Sequence, residues 1–366
     1  MADIITRRLS VQRLTGEPFD SATEAMRWFG PVQSQDYAAG KWALGMRVRG
    51  ATDAGMDELF DSGAILRTHV MRPTWHFVLP ADIRWIQELT SPRVMSSLAG
   101  RHRQLELDPL TIGSAVELFG EALSGGHFMT RPELGEVLSA AGISAEAQRL
   151  PHLIASAEHA NVITSGPRRG KQFTYALLDE RAKGAKRLDP EQSLVELTLR
   201  YFRSRGPAQL KDFGWWSGLT QKQIREGIHL AGSALQRETI DGSDYWFGAT
   251  ERGGGNGLVA HLLPNFDEFT VAYRDRTALL DPTISFDPTL FAYYRDSTPM
   301  GGMLSNVVTI GGRVRGAWSR TLTPKVVQVE IRALSPFRPR EEGAIGRATG
   351  ALGTFLERQA RFTIAR

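Results

Sequence analysis

The apolar positions of residues 114–178 repeat first with the period of helices and then with that of strands. In 114–126 they fall three and four residues apart and the run ends at two glycines, which predicts a helix. Thr130 and Glu133 have the spacing of a capping box, which predicts the start of a second helix. A longer helical pattern over 145–163 leads into a basic Gly/Pro turn and an alternating strand. Three helices followed by a basic hairpin are typical of a winged helix-turn-helix unit.

The same order of patterns returns in residues 190–248. Two helical stretches are followed by a third that begins after Thr220, a good N-cap residue, and then by two alternating strands about an Asp-Gly turn. The start of the chain is a looser copy, in which 56–70 has a helical pattern and 69–79 that of a strand. The chain is therefore predicted to contain three tandem winged helix-turn-helix units, called here the first unit (1–110), the second unit (111–187) and the third unit (188–252).

The residue pattern changes after residues 253–257, whose sequence GGGNG predicts a flexible break. Residues 258–335 alternate like strands, and a glycine pair at 311–312 marks a hairpin turn. A helix is predicted over about residues 341–360. The C-terminal part, residues 258–366, is thus predicted to form a small twisted β-sheet or barrel with a terminal helix, and the fold class is α+β.

The composition is that of an ordinary globular protein. Of 366 residues, 42% are hydrophobic and 23% charged, which suits a sizeable core. The absence of cysteine excludes disulfides, thiolate zinc sites, iron–sulfur clusters and a cysteine nucleophile. The histidines are scattered and no P-loop or dinucleotide motif is present, so neither a metal nor a cofactor is expected. No apolar run approaches the roughly 18 residues of a membrane span and the start has no signal-peptide core, so a cytoplasmic protein without membrane contact is expected.

Basic residues are in modest excess, with a net charge of +4, so polyanions are not repelled. Most of the basic residues are arginines, whose planar fork suits phosphates and base edges, although a GC-rich genome explains this bias more simply. Arg168, Arg169 and Lys171 in the basic turn are the strongest local candidates for phosphate binding. The alternative for this cluster is a solvated turn.

Two glutamines, Gln33 and Gln35, flank Ser34 just after a proline and before aromatic and small residues. A carboxamide carries no charge and is neither a strong acid nor a strong base. On its own, the pair is interpreted either as solvated loop residues or as a polar pair that holds a water or a base.

Several strings together resemble one family, the winged-helix DNA glycosylases of the AlkZ/YcaQ type. They occur in family order over nearly the whole chain, so the resemblance is more specific than any single motif. The strings are Gln33-Ser34-Gln35 and residues 66–78, 205–219, 262–276 and 306–318.

The resemblance implies three tandem winged helices and a β-barrel that form a concave, basic surface for double-stranded DNA. It also implies removal of alkylated purines, in some members from cross-links, by a monomer that needs no partner chain. The family's catalytic motif, two glutamines around an apolar or small residue, falls on Gln33 and Gln35, whereas related members have aspartate at the second position. Ser34 is more polar than the usual middle residue. A winged-helix regulator or lesion-shielding protein without enzymatic activity is the alternative.

Glutamines suit this reaction because of the leaving group. A purine alkylated at N7, or at N3 of adenine, is already positively charged, so its departure needs no strong general acid. We expect Gln35 to orient the attacking water and Gln33 to hold the sugar or the same water. Asp36 is either an electrostatic stabiliser of the sugar cation or, more simply, the N-cap of the following helix.

The remaining candidates each have a structural alternative. Trp75 and His76 line a lesion pocket in one interpretation and belong to the core in the other. Arg313 and Arg315 fall on one face of a predicted hairpin, where they contact a groove or phosphates, or are ordinary exposed charges.

Three further charged residues are expected to be structural. Lys41 is the only amine near the glutamines that could form a Schiff base, and a helix-surface lysine is the simpler interpretation, so a monofunctional hydrolase is expected. Asp267 and Glu268 are adjacent, and neighbouring strand residues point to opposite faces. A salt bridge to Arg274 or Arg276 is expected for them instead of a shared site.

Overall fold

The computed structural model describes residues 2–249, 258–291 and 299–365. α-Helices are mixed with small β-sheets, which confirms the α+β class. The number of winged helix-turn-helix units and their boundaries stay predictions, and the predicted break at 253–257 lies outside the described residues. Within those residues, no helix is both long and apolar enough to cross a membrane.

In the first unit, the prediction of a helix over 56–70 is wrong for its second half, because the helix ends at Ser62. Gly63 ends the helix in the left-handed conformation (φ 83°), and the chain then continues into a strand. A helix of 22 residues closes the unit, and the sequence pattern did not indicate it because Pro92 lies in its interior. The elements are α1 Ala2–Val11, α2 Ala22–Phe29, β1 Val32–Gln33, α3 Tyr37–Gly45, α4 Asp53–Ser62, β2 Leu66–His69, β3 Trp75–Val78 and α5 Ile83–Gln104.

The three strands of the first unit form one antiparallel sheet in the order β1-β3-β2. Gln33 lies opposite His76, and His76 lies opposite Thr68 on its other side. Strand β1 is an edge strand of only two residues. The glutamine motif therefore begins inside the sheet and leaves it after Gln33.

The second unit begins its second helix as the sequence predicts. Thr130 and Glu133 form the capping box, in which each side chain accepts a hydrogen bond from the backbone of the other. Its helices pack around one hydrophobic cluster, which includes Phe119, Leu134 and Leu153. Its elements are α6 Pro109–Leu123, β4 Met129–Thr130, α7 Arg131–Ala140, α8 Arg149–His159, β5 Ile163–Ser165, β6 Thr174–Leu177 and α9 Leu178–Arg181.

The third unit also follows its predicted pattern. Thr220 caps the third helix, and the strand pair turns at Asp241 and Gly242, both with positive φ as a two-residue hairpin turn requires. The elements are α10 Pro190–Arg205, α11 Leu210–Ser217, α12 Gln221–Ala231, β7 Leu235–Ile240 and β8 Ser243–Gly248.

The C-terminal part contains the predicted sheet, with five strands in the order β9-β10-β11-β12-β13. The predicted end of the terminal helix is wrong, because the helix stops at Phe355 and 359–365 return as an edge strand parallel to β12. Gly353 permits this return, since a Cβ there would lie 2.6 Å from that of Ala360. The elements are β9 Ala260–Leu263, α13 Glu268–Val271, α14 Pro299–Gly302, β10 Val307–Ile310, β11 Arg313–Leu322, β12 Val326–Ala333, α15 Pro339–Phe355 and β13 Gln359–Ala365.

The first unit shares hydrophobic clusters with each of the other three parts of the chain. Phe29 and Trp42 belong to one buried cluster with Phe355 of the C-terminal part. Leu66 belongs to another with Trp216 of the third unit. The unit that carries the glutamine motif is thus packed between the third unit and the C-terminal part.

A buried ion pair also joins the first unit to the C-terminal part. Arg47 donates two hydrogen bonds to the carboxylate of Asp267, at 2.7 and 2.8 Å, and both side chains are almost wholly buried. Arg47 donates further to the carbonyls of Gln12 and Ala43. Loss of either charge would leave its partner buried and uncompensated.

We predict that Asp267→Ala lowers the free energy of unfolding by about 3–5 kcal/mol, because it leaves the buried Arg47 guanidinium without its carboxylate partner. Asp20→Ala is the matched control, since Asp20 pairs with Arg49 at the exposed surface and its loss should leave stability nearly unchanged. Chemical denaturation of the two variants measures the difference. Equal stability of the two variants would contradict the role given to the buried pair.

Candidate active site

Gln33 ends strand β1 and is buried, with 5% of its surface exposed. Its backbone N–H donates to Oε1 of Glu268 at 2.9 Å. Its side-chain Oε1 accepts from Nη2 of Arg72 at 2.7 Å. Backbone and side chain of this glutamine are therefore both held by charged residues from other segments.

Gln35 lies two residues further along and is exposed. Its Oε1 accepts from the backbone N–H of Trp75 at 3.1 Å. Between the glutamines, the backbone N–H of Ser34 donates to the carbonyl of Trp75 at 2.8 Å, which keeps the segment extended along β3. The chain bends at Gln35, so the carboxamide of Gln33 bonds to Arg72 inside the protein while that of Gln35 lies at the surface beside the backbone of Trp75.

The small middle residue of the motif is explained by close packing. Ser34 is fully buried, and helix α3 passes directly over it. A Cβ at Gly40 would lie 2.9 Å from the Cβ of Ser34 and 2.8 Å from the ring of Phe77. A larger side chain at position 34 or 40 would push the helix away from the motif.

Helix α3 contains two of the charged candidates. Asp36 is its N-cap, with a carboxylate that accepts from the backbone N–H of Ala39 at 3.0 Å. This contact confirms the simpler interpretation, and a role at the reaction centre stays a prediction. The interpretation of Lys41 as a surface lysine is wrong, because it is buried and pairs with Asp53 and Asp57 at 2.8 and 2.7 Å.

Trp75 is half-buried in the wall of a cleft of about 410 Å³ between the first and second units. The guanidinium of Arg67 lies 4.4 Å from the centre of its ring. Arg67 also donates to the carbonyls of Ser34 and Gln35, at 3.0 and 3.3 Å. Lys171 lines the same cleft. The cleft therefore borders the glutamine motif.

His76 lies in the middle strand of the sheet and is fully buried. Its Nδ1 is 2.9 Å from the carbonyl of Thr74, an acceptor, so this nitrogen carries the proton. Burial, followed by the nearby Arg72 guanidinium, holds the pKa of His76 well below its ordinary value. A neutral imidazole in this position fits the core interpretation and cannot act as a general acid at neutral pH.

The basic turn of the second unit is largely engaged within the protein. Arg168 forms salt bridges with Asp57 and Asp61 of α4, at 3.0 and 2.9 Å. Arg169 pairs with Glu133 at 2.6 Å, although its side chain is 55% exposed. Lys171, the third residue of the cluster, is exposed and lines the cleft beside Trp75. Contact with phosphates stays a prediction for all three.

Arg313 and Arg315 lie on one face of strand β11, away from the glutamine pair along the chain. Arg313 donates to the carbonyl of Leu280. Arg315 pairs with Glu341 at 2.7 Å and donates to Oγ of Ser335 at 3.2 Å. Both arginines fasten β11 to neighbouring segments, and their contact with DNA stays a prediction.

A second buried ion pair, Arg205 with Glu268, holds the backbone of the motif. Arg205 donates to Oε2 of Glu268 from Nε at 2.9 Å and from Nη2 at 2.6 Å. Nε1 of Trp216 donates to the same oxygen at 3.1 Å. Arg205 also donates to the carbonyls of Phe29 and Pro31, just before the motif. The chain is thus clamped immediately upstream of the glutamines.

The expected pairing of Asp267 and Glu268 with Arg274 or Arg276 is therefore wrong. These two acids begin the short helix α13 instead of lying in a strand. Their side chains consequently point in different directions. Asp267 pairs with Arg47, and Glu268 pairs with Arg205.

Sequence reasoning missed Arg67, Arg72 and Arg205 as parts of the site. Their contacts join residues more than 30 positions apart, so hydrophobic periodicity gives no sign of them. Each lies within a string that carries the family resemblance, and that is the signal that could have found them.

The arrangement corresponds to a known class of DNA repair enzyme. A family model described as AlkZ-like DNA glycosylase matches residues 26–355, and the chain therefore belongs to the AlkZ-like DNA glycosylase family. Membership confirms the resemblance seen in the sequence and makes DNA the substrate.

Among solved structures, the DNA glycosylase AlkZ of Streptomyces sahachiroi is similar in fold. The TM-score is 0.80 at 17% sequence identity, over 100% of this chain and 99% of that one. A comparison with curated proteins finds no match.

Two buried histidines, His76 and His159, make the fold sensitive to acid. Burial lowers the pKa of His159 to about 3, and the pKa of His76 is lowered as well. In the unfolded chain a histidine has a pKa near 6.5, so below about pH 6.5 the unfolded state binds more protons. We predict that the free energy of unfolding falls below that pH by about 1.4 kcal/mol per pH unit for each histidine, and is regained above it.

Denaturation curves between pH 7.5 and 5 measure this slope. His159→Gln should reduce the slope, and His127→Gln is the control because His127 is exposed. The prediction is wrong if the wild type and His159→Gln lose stability equally on acidification.

Proposed function

We propose that the protein hydrolyses the N-glycosidic bond of alkylated, cationic purines in double-stranded DNA. N7-alkylguanine and related lesions, including bulky adducts and cross-links, are the proposed substrates. The observation that carries this proposal is the placement of Gln33 and Gln35, which match the catalytic motif implied by the family resemblance and are clamped by Arg72, Arg205 and Glu268.

The surroundings of the pair suit a leaving group that needs no acid. Among the described residues, the side chains that bond to the glutamine carboxamides or their backbone include no free carboxylic acid. Glu268 is buried and engaged by Arg205, and His76 is neutral. A neutral purine would lack a proton donor here, whereas an alkylated purine departs without one.

Hydrolysis without a lyase step is the proposed chemistry. A lyase needs a free amine to form a Schiff base with the sugar. The ammonium of Lys41 is engaged by Asp53 and Asp57, which supports a monofunctional enzyme with water as nucleophile.

DNA contacts are proposed at the basic residues of the second unit and of β11. Lys171 is exposed at the cleft and Arg169 is the most exposed arginine of its cluster, so these two are available to phosphates. Arg168, Arg313 and Arg315 would shape the surface through the segments they fasten.

Base release from a small panel of duplexes tests the proposal: one with N7-methylguanine, one with a bulky N7 adduct and one with an interstrand cross-link. We expect release from at least one duplex, and a loss of about 100- to 1000-fold in Gln33→Ala/Gln35→Ala, because positioning groups contribute on this order. Affinity for the duplex should stay within a few fold.

Gln104→Ala is the matched control, because Gln104 is exposed and lies far along the chain from the motif. A double variant that released bases as fast as the wild type would exclude the glutamine pair from the chemistry. Binding without release by the wild type would favour a lesion-shielding protein. Release of the bulky or cross-linked lesion would extend the substrate range to the lesions that self-resistance to a DNA-alkylating metabolite requires.

A further inference from the structure

The oxygen atoms of both glutamine carboxamides already accept hydrogen bonds from the protein. Gln33 Oε1 faces a guanidinium nitrogen of Arg72, and Gln35 Oε1 faces the backbone N–H of Trp75. Both partners can only donate, so the atom that faces each of them must be the carboxamide oxygen. A flipped amide would set two donors against each other.

The nitrogen atoms are free for a substrate. Among the described residues, neither Gln33 Nε2 nor Gln35 Nε2 has a hydrogen-bond partner. Gln35 is exposed, and the nitrogen of Gln33 is not among the buried polar atoms that lack a partner. Each glutamine therefore keeps an NH₂ group available to donate, while its oxygen is engaged by the protein.

We propose that Gln33 and Gln35 donate hydrogen bonds to the departing purine, instead of accepting protons from the attacking water. This inference rests on the proposed function and names the part of the substrate that the pair binds. In a departing N7-alkylguanine the available acceptors are N3, N9 and O6.

The electron flow of the reaction explains why donors belong on the base. The oxygen of water forms a bond to C1′ while the C1′–N9 bond breaks, and the bonding electron pair passes to the purine and cancels its positive charge. N3 and O6 become better acceptors as this happens, so a donor there stabilises the transition state more than the ground state. The water loses its proton to solvent.

The other two reacting groups would be harmed by the same donors. A donor to the water oxygen would withdraw electron density from it and lower its nucleophilicity toward C1′. A donor to the ring oxygen of the sugar would withdraw electrons from the oxocarbenium-like centre. Of the three reacting groups, only the base gains from an N–H placed against it.

Arg72 is a positioning residue in this arrangement. Its bond to Gln33 Oε1 fixes which way the amide points and polarises it, which strengthens the N–H donors at the other end. Burial lowers the pKa of Arg72 only to about 10, so the guanidinium stays charged at neutral pH. Its guanidinium also lies over the ring of Trp215 in the third unit.

Gln35→Glu separates the two roles. The variant keeps the side-chain length and an oxygen for the N–H of Trp75, but its carboxylate has no donor at neutral pH. We expect base release from an N7-methylguanine duplex to fall at least 100-fold at pH 7.5 and to recover about tenfold per unit as pH falls toward 5, because protonation restores an O–H donor. A water-positioning role requires the reverse: retained activity at pH 7.5 that declines on acidification.

Gln33→Glu is the second variant. It too should lose at least 100-fold, and it should not recover down to pH 5, because Arg72 would keep the new carboxylate ionised. Gln104→Glu controls for the added charge, duplex affinity is measured alongside, and thermal midpoints check the fold. No release by the wild type would overturn the proposed function and this inference together. Release by the wild type that persists in Gln35→Glu at pH 7.5 would overturn this inference alone.

Discussion

The buried pair of Arg205 and Glu268 is the interaction on which the rest of the site depends. One carboxylate receives two bonds from Arg205, one from the indole of Trp216 and one from the backbone of Gln33. The third unit, the C-terminal part and the first unit therefore meet at a single side chain. A buried charge is tolerated only when its bonding capacity is satisfied, and here the motif itself supplies part of that satisfaction.

This dependence suits the modest chemical power of a carboxamide. Gln33 and Gln35 offer neither a proton at neutral pH nor a formal charge, so in the proposed mechanism their contribution depends on where their N–H groups are held. Placement within a fraction of an ångström requires rigid support behind the functional groups. Arg72, Arg67 and the backbone of Trp75 supply that support through hydrogen bonds to the motif.

Much of the fold could be predicted because its signals are local. The capping residues Thr130 and Thr220, and the Asp241-Gly242 turn, act within a few residues of themselves. Helix α5 was missed because its proline hides the helical period, and β2 because its partner strand, not its own pattern, fixes its conformation.

For the site, too, the sequence indicates what depends on nearby residues and does not indicate what depends on distant contacts. The family resemblance identified Gln33 and Gln35 as the motif. Their orientation depends on partners 39 and 40 residues away, so no local pattern could show which atom of each amide is free.

The internal pairing of Arg168 and Arg315 has a consequence for how the protein approaches DNA. Binding to a duplex draws much of its free energy from the release of counterions, which are displaced when unpaired lysine and arginine side chains of the protein neutralise the phosphates. Arginines already paired with Asp61 and Glu341 release few of these ions. Affinity should therefore weaken less with rising salt than the number of surface arginines would indicate. A repair enzyme of this kind would distinguish its target more by the fit of the lesion than by attraction to DNA in general.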